Sequence, residues 1–173
     1  MRNNGGGNGQ LGFEILGQLT EQPFMQATTI SRTYSPMGRA WGKPIEIAQT
    51  AYDWKPHKGR AYEKPVIVLV GPSTYSAAED FTLAFKQSGR GLIVGEATGG
   101  STGQPYFFQL PGGGYGWVCT KRDLFNNGTD FVGTGIYPDI EIKRSLAEMQ
   151  KGRDNVLEFA RQRLAAAAPT SKR

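Results

Sequence analysis

The stretch from Pro65 to Glu79, PVIVLVGPSTYSAAE, limits the possible folds more than any other part of this chain. Its apolar run, Val66 to Val70, is β-branched, lacks polar alternation and is too short for a buried helix. It reads as a strand covered on both faces, the kind found inside an α/β sheet. A Gly71-Pro72 turn follows, and Ser76 then opens a helix expected to run to Gln87. A serine where a strand turns into a helix stands beside unpaired backbone N–H groups and the positive end of a helix dipole. That setting favours a developing oxyanion. Ser76 is therefore the first candidate for chemistry.

Around this unit the pattern is strand, helix, strand, then hairpins, which gives a mixed α/β domain. Leu11, Ile15 and Leu19 form one helical stripe ending near Gln22-Pro23. The segment from Phe24 to Glu63 is polar, carries Pro36, Pro44 and Pro56, and is expected to hold short strands such as Thr28 to Tyr34. The helix after Ser76 points Ala77, Phe81, Ala84 and Phe85 towards the core. Leu92 to Val94 is a second short strand. Tyr106 to Leu110 and Tyr115 to Lys121 read as a hairpin about Pro111 to Gly114, and Asn126 to Gly128 as a turn. Ile136 to Ile142 is a last extended segment. Asp154 to Leu164 is a closing helix, followed by a tail expected to fray.

At 173 residues the chain is long enough for one domain with a real core. The 24 glycines cluster without a fixed period, which is loop chemistry rather than a repeat. The net charge of +5 comes from scattered lysines and arginines, with no basic stripe, so nucleic acid is not an expected partner. Cys119 alone excludes an intramolecular disulfide and reads as a small buried side chain. No apolar run approaches the ~20 residues of a membrane span, and the polar, glycine-rich start has no apolar core of a signal peptide. That start, MRNNGGGNGQ, is a turn sequence with no strand before it, and reads as a cut inside a domain.

The order RNNGGG (Arg2 to Gly7), VIVLV-x5-SAAE (Val66 to Glu79), GRGLIVGEATGG (Gly89 to Gly100), LPGGG (Leu110 to Gly114) and GTGIYPDIEI (Gly133 to Ile142) resembles the C-terminal-processing (tail-specific) serine proteases and their tricorn-like relatives. Each motif alone is weak, but five in order are strong. The resemblance covers roughly residues 2 to 143. It implies an α/β Clp-protease/crotonase-like core, N-terminally truncated, with residues 1–146 as the C-terminal part of a catalytic domain and 147–173 as a closing helix and tail. It implies hydrolysis of extended polypeptide through an acyl-enzyme on Ser76. The backbone N–H of Ala77 would donate to the oxyanion together with a glycine of the RNNGGG loop, Gly6, with Gly7 beside it. Gly99, Gly100 and Ser101 are further candidates for touching substrate. No cofactor or metal is implied. A homo-oligomer is compatible, and family habit places such enzymes in the periplasm or otherwise outside the cytoplasm.

The chain also departs from the family. The lysine that serves many members as base falls 25 residues after the nucleophile, where this chain has Ser101. The tricorn-like histidine lies upstream of the RNNGGG loop, outside this chain, and Asp130 is a poor match for that branch's glutamate. The base is therefore expected to be missing, and the isolated chain to be inactive. A non-catalytic module binding peptide or an apolar ligand on the same fold is the alternative, and an acyl-CoA enzyme a weaker one.

Local readings compete with the functional ones. Ser76 and Glu79 also spell a capping box, S-x-x-E, and Glu79 is read as a helix N-terminal acid. Ser73 suits the turn. His57, the only histidine, lies in a basic polar loop and reads as solvated. Lys86 sits about 15 Å along the helix from Ser76, at 1.5 Å per residue, and is too far to act.

Overall fold

The structure, a computed structural model, describes residues 1–167; the frayed tail expected from sequence falls mostly outside them. Its centre is a three-stranded parallel sheet in the order β10-β6-β5, from β5 (Ile67–Val70), β6 (Leu92–Gly95) and β10 (Ile140–Glu141). Helix α3 (Ala77–Ser88) is the crossover between β5 and β6. It buries Ala78, Phe81, Leu83, Ala84 and Phe85, and Gly89 ends it in the left-handed conformation. Val68, Val70 and Ile93 from the sheet join Phe81, Ala84 and Phe85 in the main core. Helix α5 (Asn155–Ala167) rests against β5 and β6 and buries Val156 and Ala160.

Helix α1 (Gly9–Gly17) completes the core, although not through the expected stripe. Phe13 and Leu16 are buried, whereas Leu11 and Ile15 are more than half exposed. Gly12 lies so close to Phe81 that an added Cβ would sit 3.2 Å from its Cβ, and this contact turns the Phe13 face inward.

Residues 24–63 form the excursion expected there. Strands β1 (Phe24–Met25) and β4 (Asp53–Trp54) pair, and β2 (Thr28–Thr33) pairs with β3 (Glu46–Thr50), with helix α2 (Pro36–Ala40) at the tip. The Arg90 guanidinium fastens the excursion to the body by donating to the carbonyls of Leu19, Tyr62 and Lys64. The hairpin is β7 (Pro105–Gln109) with β8 (Tyr115–Cys119). The chain breaks at Thr120 and continues as β9 (Lys121–Leu124), which joins β2 to give the sheet β3-β2-β9. Helix α4 (Leu146–Gln150) precedes α5.

Three further expectations are corrected. The crotonase-like core is not what forms: a parallel sheet of only three strands is flanked by separate antiparallel sheets of three, two and two strands, a mixed α/β arrangement of a different kind. Cys119 is exposed, because both faces of the β7–β8 hairpin are open. Of Ile136 to Ile142, only Ile140–Glu141 pairs as strand. Asp139 accounts for the rest: one oxygen accepts from Lys86 at 2.6 Å and the other from the Ile93 N–H at 2.8 Å, which docks the segment on α3 and β6.

Candidate active site

Ser76 precedes the first residue of α3 at φ 51°, ψ −125°. A serine gains nothing from that conformation, which costs on the order of 1–3 kcal/mol and persists only where the surroundings impose it. The imposing contacts are on both sides. Tyr75 N–H donates to the Asn4 carbonyl at 3.1 Å, Ser76 N–H to the Ser101 carbonyl at 3.0 Å, and Gly99 N–H to the Thr74 carbonyl at 2.9 Å. Glu79 and Asp80 N–H groups both reach the Ser76 carbonyl, at 2.7 and 3.1 Å. The turn is therefore held by main-chain bonds to two other loops, residues 1–8 and 98–101.

Glu79 is the hub of this arrangement. It is fully buried. One carboxylate oxygen accepts from the Thr98 hydroxyl at 2.6 Å and the Gly100 N–H at 2.7 Å. The other accepts from the Ser101 N–H at 2.8 Å and the Ser76 N–H at 3.2 Å. Four donors around a carboxylate are what make its burial tolerable. The Thr98 hydroxyl in turn accepts from the Ile136 N–H at 2.7 Å, and Gly133 N–H donates to the Gly100 carbonyl at 2.7 Å. At Gly135, φ +84°, a Cβ would lie 2.1 Å from the Thr98 carbonyl oxygen, so the backbones touch where a side chain cannot fit. The SAAE, EATGG and GTG motifs thus converge on one carboxylate.

The RNNGGG loop lies on the other side of the serine. A Cβ on Gly6, φ +103°, would be 2.7 Å from the Ser76 Cβ and 3.1 Å from the Ala77 nitrogen. Gly6 and Ala77 are therefore brought together at the Ser76 turn. The Gly6 N–H is engaged by the Asn4 side-chain oxygen at 2.9 Å. Gly7 is exposed beside it. Gly99 lies beneath the Tyr75 ring, and the N–H groups of Gly99, Gly100 and Ser101 are all spent inside the site.

One turn into α3 a second polar cluster begins. The Thr102 hydroxyl donates to Asp80 at 3.1 Å. From β9, the Lys121 ammonium lies 3.1 and 2.9 Å from the two oxygens of Asp123, which is fully buried and also accepts from the Thr29 hydroxyl at 2.6 Å. Burial pushes the Asp80 carboxyl up to about 6; Lys121 opposes this, and the Asp123 and Glu79 charges add to it.

His57 is not brought to the site. Its N–H donates to the Gly17 carbonyl at 2.9 Å, at the end of α1 remote from Gly9. The Gly9 end is the one near Ala77 and Asp80, and nine helical residues span roughly 12 Å. Lys86 is committed to Asp139 and the Tyr137 carbonyl. Asp130 pairs with Arg122, whose hydrogen bond holds its carboxyl below the usual range. Sequence reasoning missed the reach of Glu79, although the S-x-x-E pattern pointed at the residue. It also missed Asp80 and the Lys121–Asp123 pair, whose setting depends on the pairing of Thr29 with Asp123 across β2 and β9. Among the described residues, no group of three or more His, Cys, Asp and Glu could hold a metal ion.

The model of peptidase family S41 matches residues 1–142. The chain belongs to peptidase family S41. It is 29% identical over 142 residues to a chloroplastic C-terminal processing peptidase of Tetradesmus obliquus, covering 82% of this chain and 27% of that protein. A crystal structure from Parabacteroides merdae superposes with a TM-score of 0.80 at 24% identity, over 100% of this chain and 53% of that one. The photosystem II D1 C-terminal processing protease gives 0.55 at 27% identity, over 82% and 33%. The chain thus spans about half of one solved relative and about a quarter of the curated one. These likenesses place the fold with the S41 peptidases rather than with a crotonase-like core, and the tricorn protease shares the fold at a TM-score of 0.62 and 20% identity, over 95% of this chain and 14% of that one.

Proposed function

We propose that Ser76 is the nucleophile of a serine endopeptidase acting on extended polypeptide. Its Oγ attacks the scissile carbonyl while its proton passes to a base. The tetrahedral oxyanion is met by the Ala77 N–H at the start of α3 and by Gly6 or Gly7 from the facing loop, Gly6 first leaving Asn4. Collapse expels the amine with a proton, and water then hydrolyses the ester. The observation carrying this reading is the strained Ser76 conformation, held by Glu79 on one side and pressed against Gly6 on the other. Such strain is stored where a side chain must be presented.

Among the described residues neither a lysine nor a histidine stands at Ser76, and on this reading a further segment supplies the base. Ser101 occupies the lysine position, and His57 stands about a helix length away. The test is hydrolysis of an unstructured polypeptide by the longer protein that supplies the base. Ser76→Ala should reduce the rate by at least 1,000-fold with the fold intact, and unchanged hydrolysis would remove Ser76 from this role.

A further inference from the structure

Asp80 has no part in that reaction scheme, yet it stands half-buried one turn beyond Ser76. It projects from α3 and accepts from the Thr102 hydroxyl at 3.1 Å. Thr102, itself buried, directly follows Ser101, whose carbonyl takes the Ser76 N–H and whose own N–H goes to Glu79. The charged groups facing Asp80 are Lys121 and Asp123 from β9 and Glu79 from its own helix. From α1, the N-terminal residue Gly9 approaches it, an added Cβ there lying 3.8 Å from an Asp80 oxygen.

Resting on the reading of Ser76 as nucleophile, we propose that Asp80 is a positioning residue: as a carboxylate it holds Thr102, and through it the Ser101 segment, against the nucleophile turn. Lys121 is the cation that keeps this carboxylate charged, while its partner Asp123 anchors it to the β3-β2-β9 sheet. Two acids near one lysine in a poorly hydrated place make an unfavourable arrangement for stability alone. Because burial raises the Asp80 carboxyl from 3.8 to about 6, the folded state holds a proton there that the unfolded chain has lost. Stability from this group is therefore present below about pH 4 and is lost as pH rises through about 6. A group that weakens the fold at neutral pH but orders the reactive segment has the sign of function rather than of packing.

The test compares the chain with Asp80→Asn and Thr102→Val by hydrogen exchange of residues 98–103, corrected for the intrinsic pH dependence, and by thermal melting. Protection of that segment in the unaltered chain should rise at least threefold between pH 5 and pH 7. Asp80→Asn should abolish the rise while melting at or above the parent at pH 7 and with it at pH 5. Thr102→Val should lower protection at pH 7. The same pH response in parent and Asp80→Asn, or a lower melting temperature of Asp80→Asn at pH 7, would overturn the proposal. Ser76→Ala should keep the response, so a failure of the nucleophile assignment leaves this result readable on its own.

Discussion

At the scale of single residues, the site is a contest between an unfavourable serine conformation and the carboxylate that imposes it. Glu79 meets four donors, three of them main-chain N–H groups, in a place closed to water. Glu79→Ala would leave those donors without their acceptor. Each orphaned buried donor costs about 1–3 kcal/mol, offset by any water that enters. The loss expected in urea denaturation is about 3 kcal/mol or more, and a change below about 1 kcal/mol would mean that the hub is not what holds the turn. The S-x-x-E pattern made Glu79 legible as a helix-cap residue, because that reading needs only residues three apart. Its partners Thr98, Gly100 and Ser101 come from a loop some twenty residues on, which no local pattern indicates.

At the scale of elements, the βαβ unit of β5, α3 and β6 was legible because its apolar run and its helical stripe obey the two simple periods of protein structure. Helix α1 was only half legible: its existence followed from periodicity, but its buried face was decided by Gly12 meeting Phe81. The hairpin strands were found and the setting of Cys119 was not, because alternation cannot reveal that both faces of a hairpin stay open. Where loops meet backbone to backbone the tolerance for side chains is nil. Gly135→Ala places a methyl against the Thr98 carbonyl at a φ of +84°. It should cost about 2–4 kcal/mol by strain and overpacking, and an unchanged melting temperature would contradict that contact.

The RNNGGG loop and α5 are tied by Arg2 and Asp154, and the Arg2 hydrogen bonds hold the Asp154 carboxyl down to about 2. A depressed folded value gives stability that is present above about pH 4 and lost as pH falls towards 2. Asp154→Asn should accordingly flatten the acid limb of melting temperature against pH between 4 and 2. An acid limb identical to that of the parent would show that the pair contributes nothing to stability.

At the scale of the whole molecule, the described residues assemble a candidate nucleophile turn, its support and two candidate oxyanion donors, but bring neither His57 nor Lys86 to it. The fold class was legible as α/β, whereas its S41 arrangement of a small parallel sheet among antiparallel ones was not, since strand order across separate sheets leaves no periodic trace. Residues 1–173 alone should label only slowly with a fluorophosphonate, because an unactivated serine is a weak nucleophile at neutral pH. Rapid stoichiometric labelling would place a base within the chain and return attention to the Lys121 cluster. The most direct measurement is the rate at which the longer protein, with and without Ser76→Ala, hydrolyses an unstructured polypeptide. A loss of at least 1,000-fold in a variant that melts like the parent is the expected result, and equal rates would contradict Ser76 as the nucleophile.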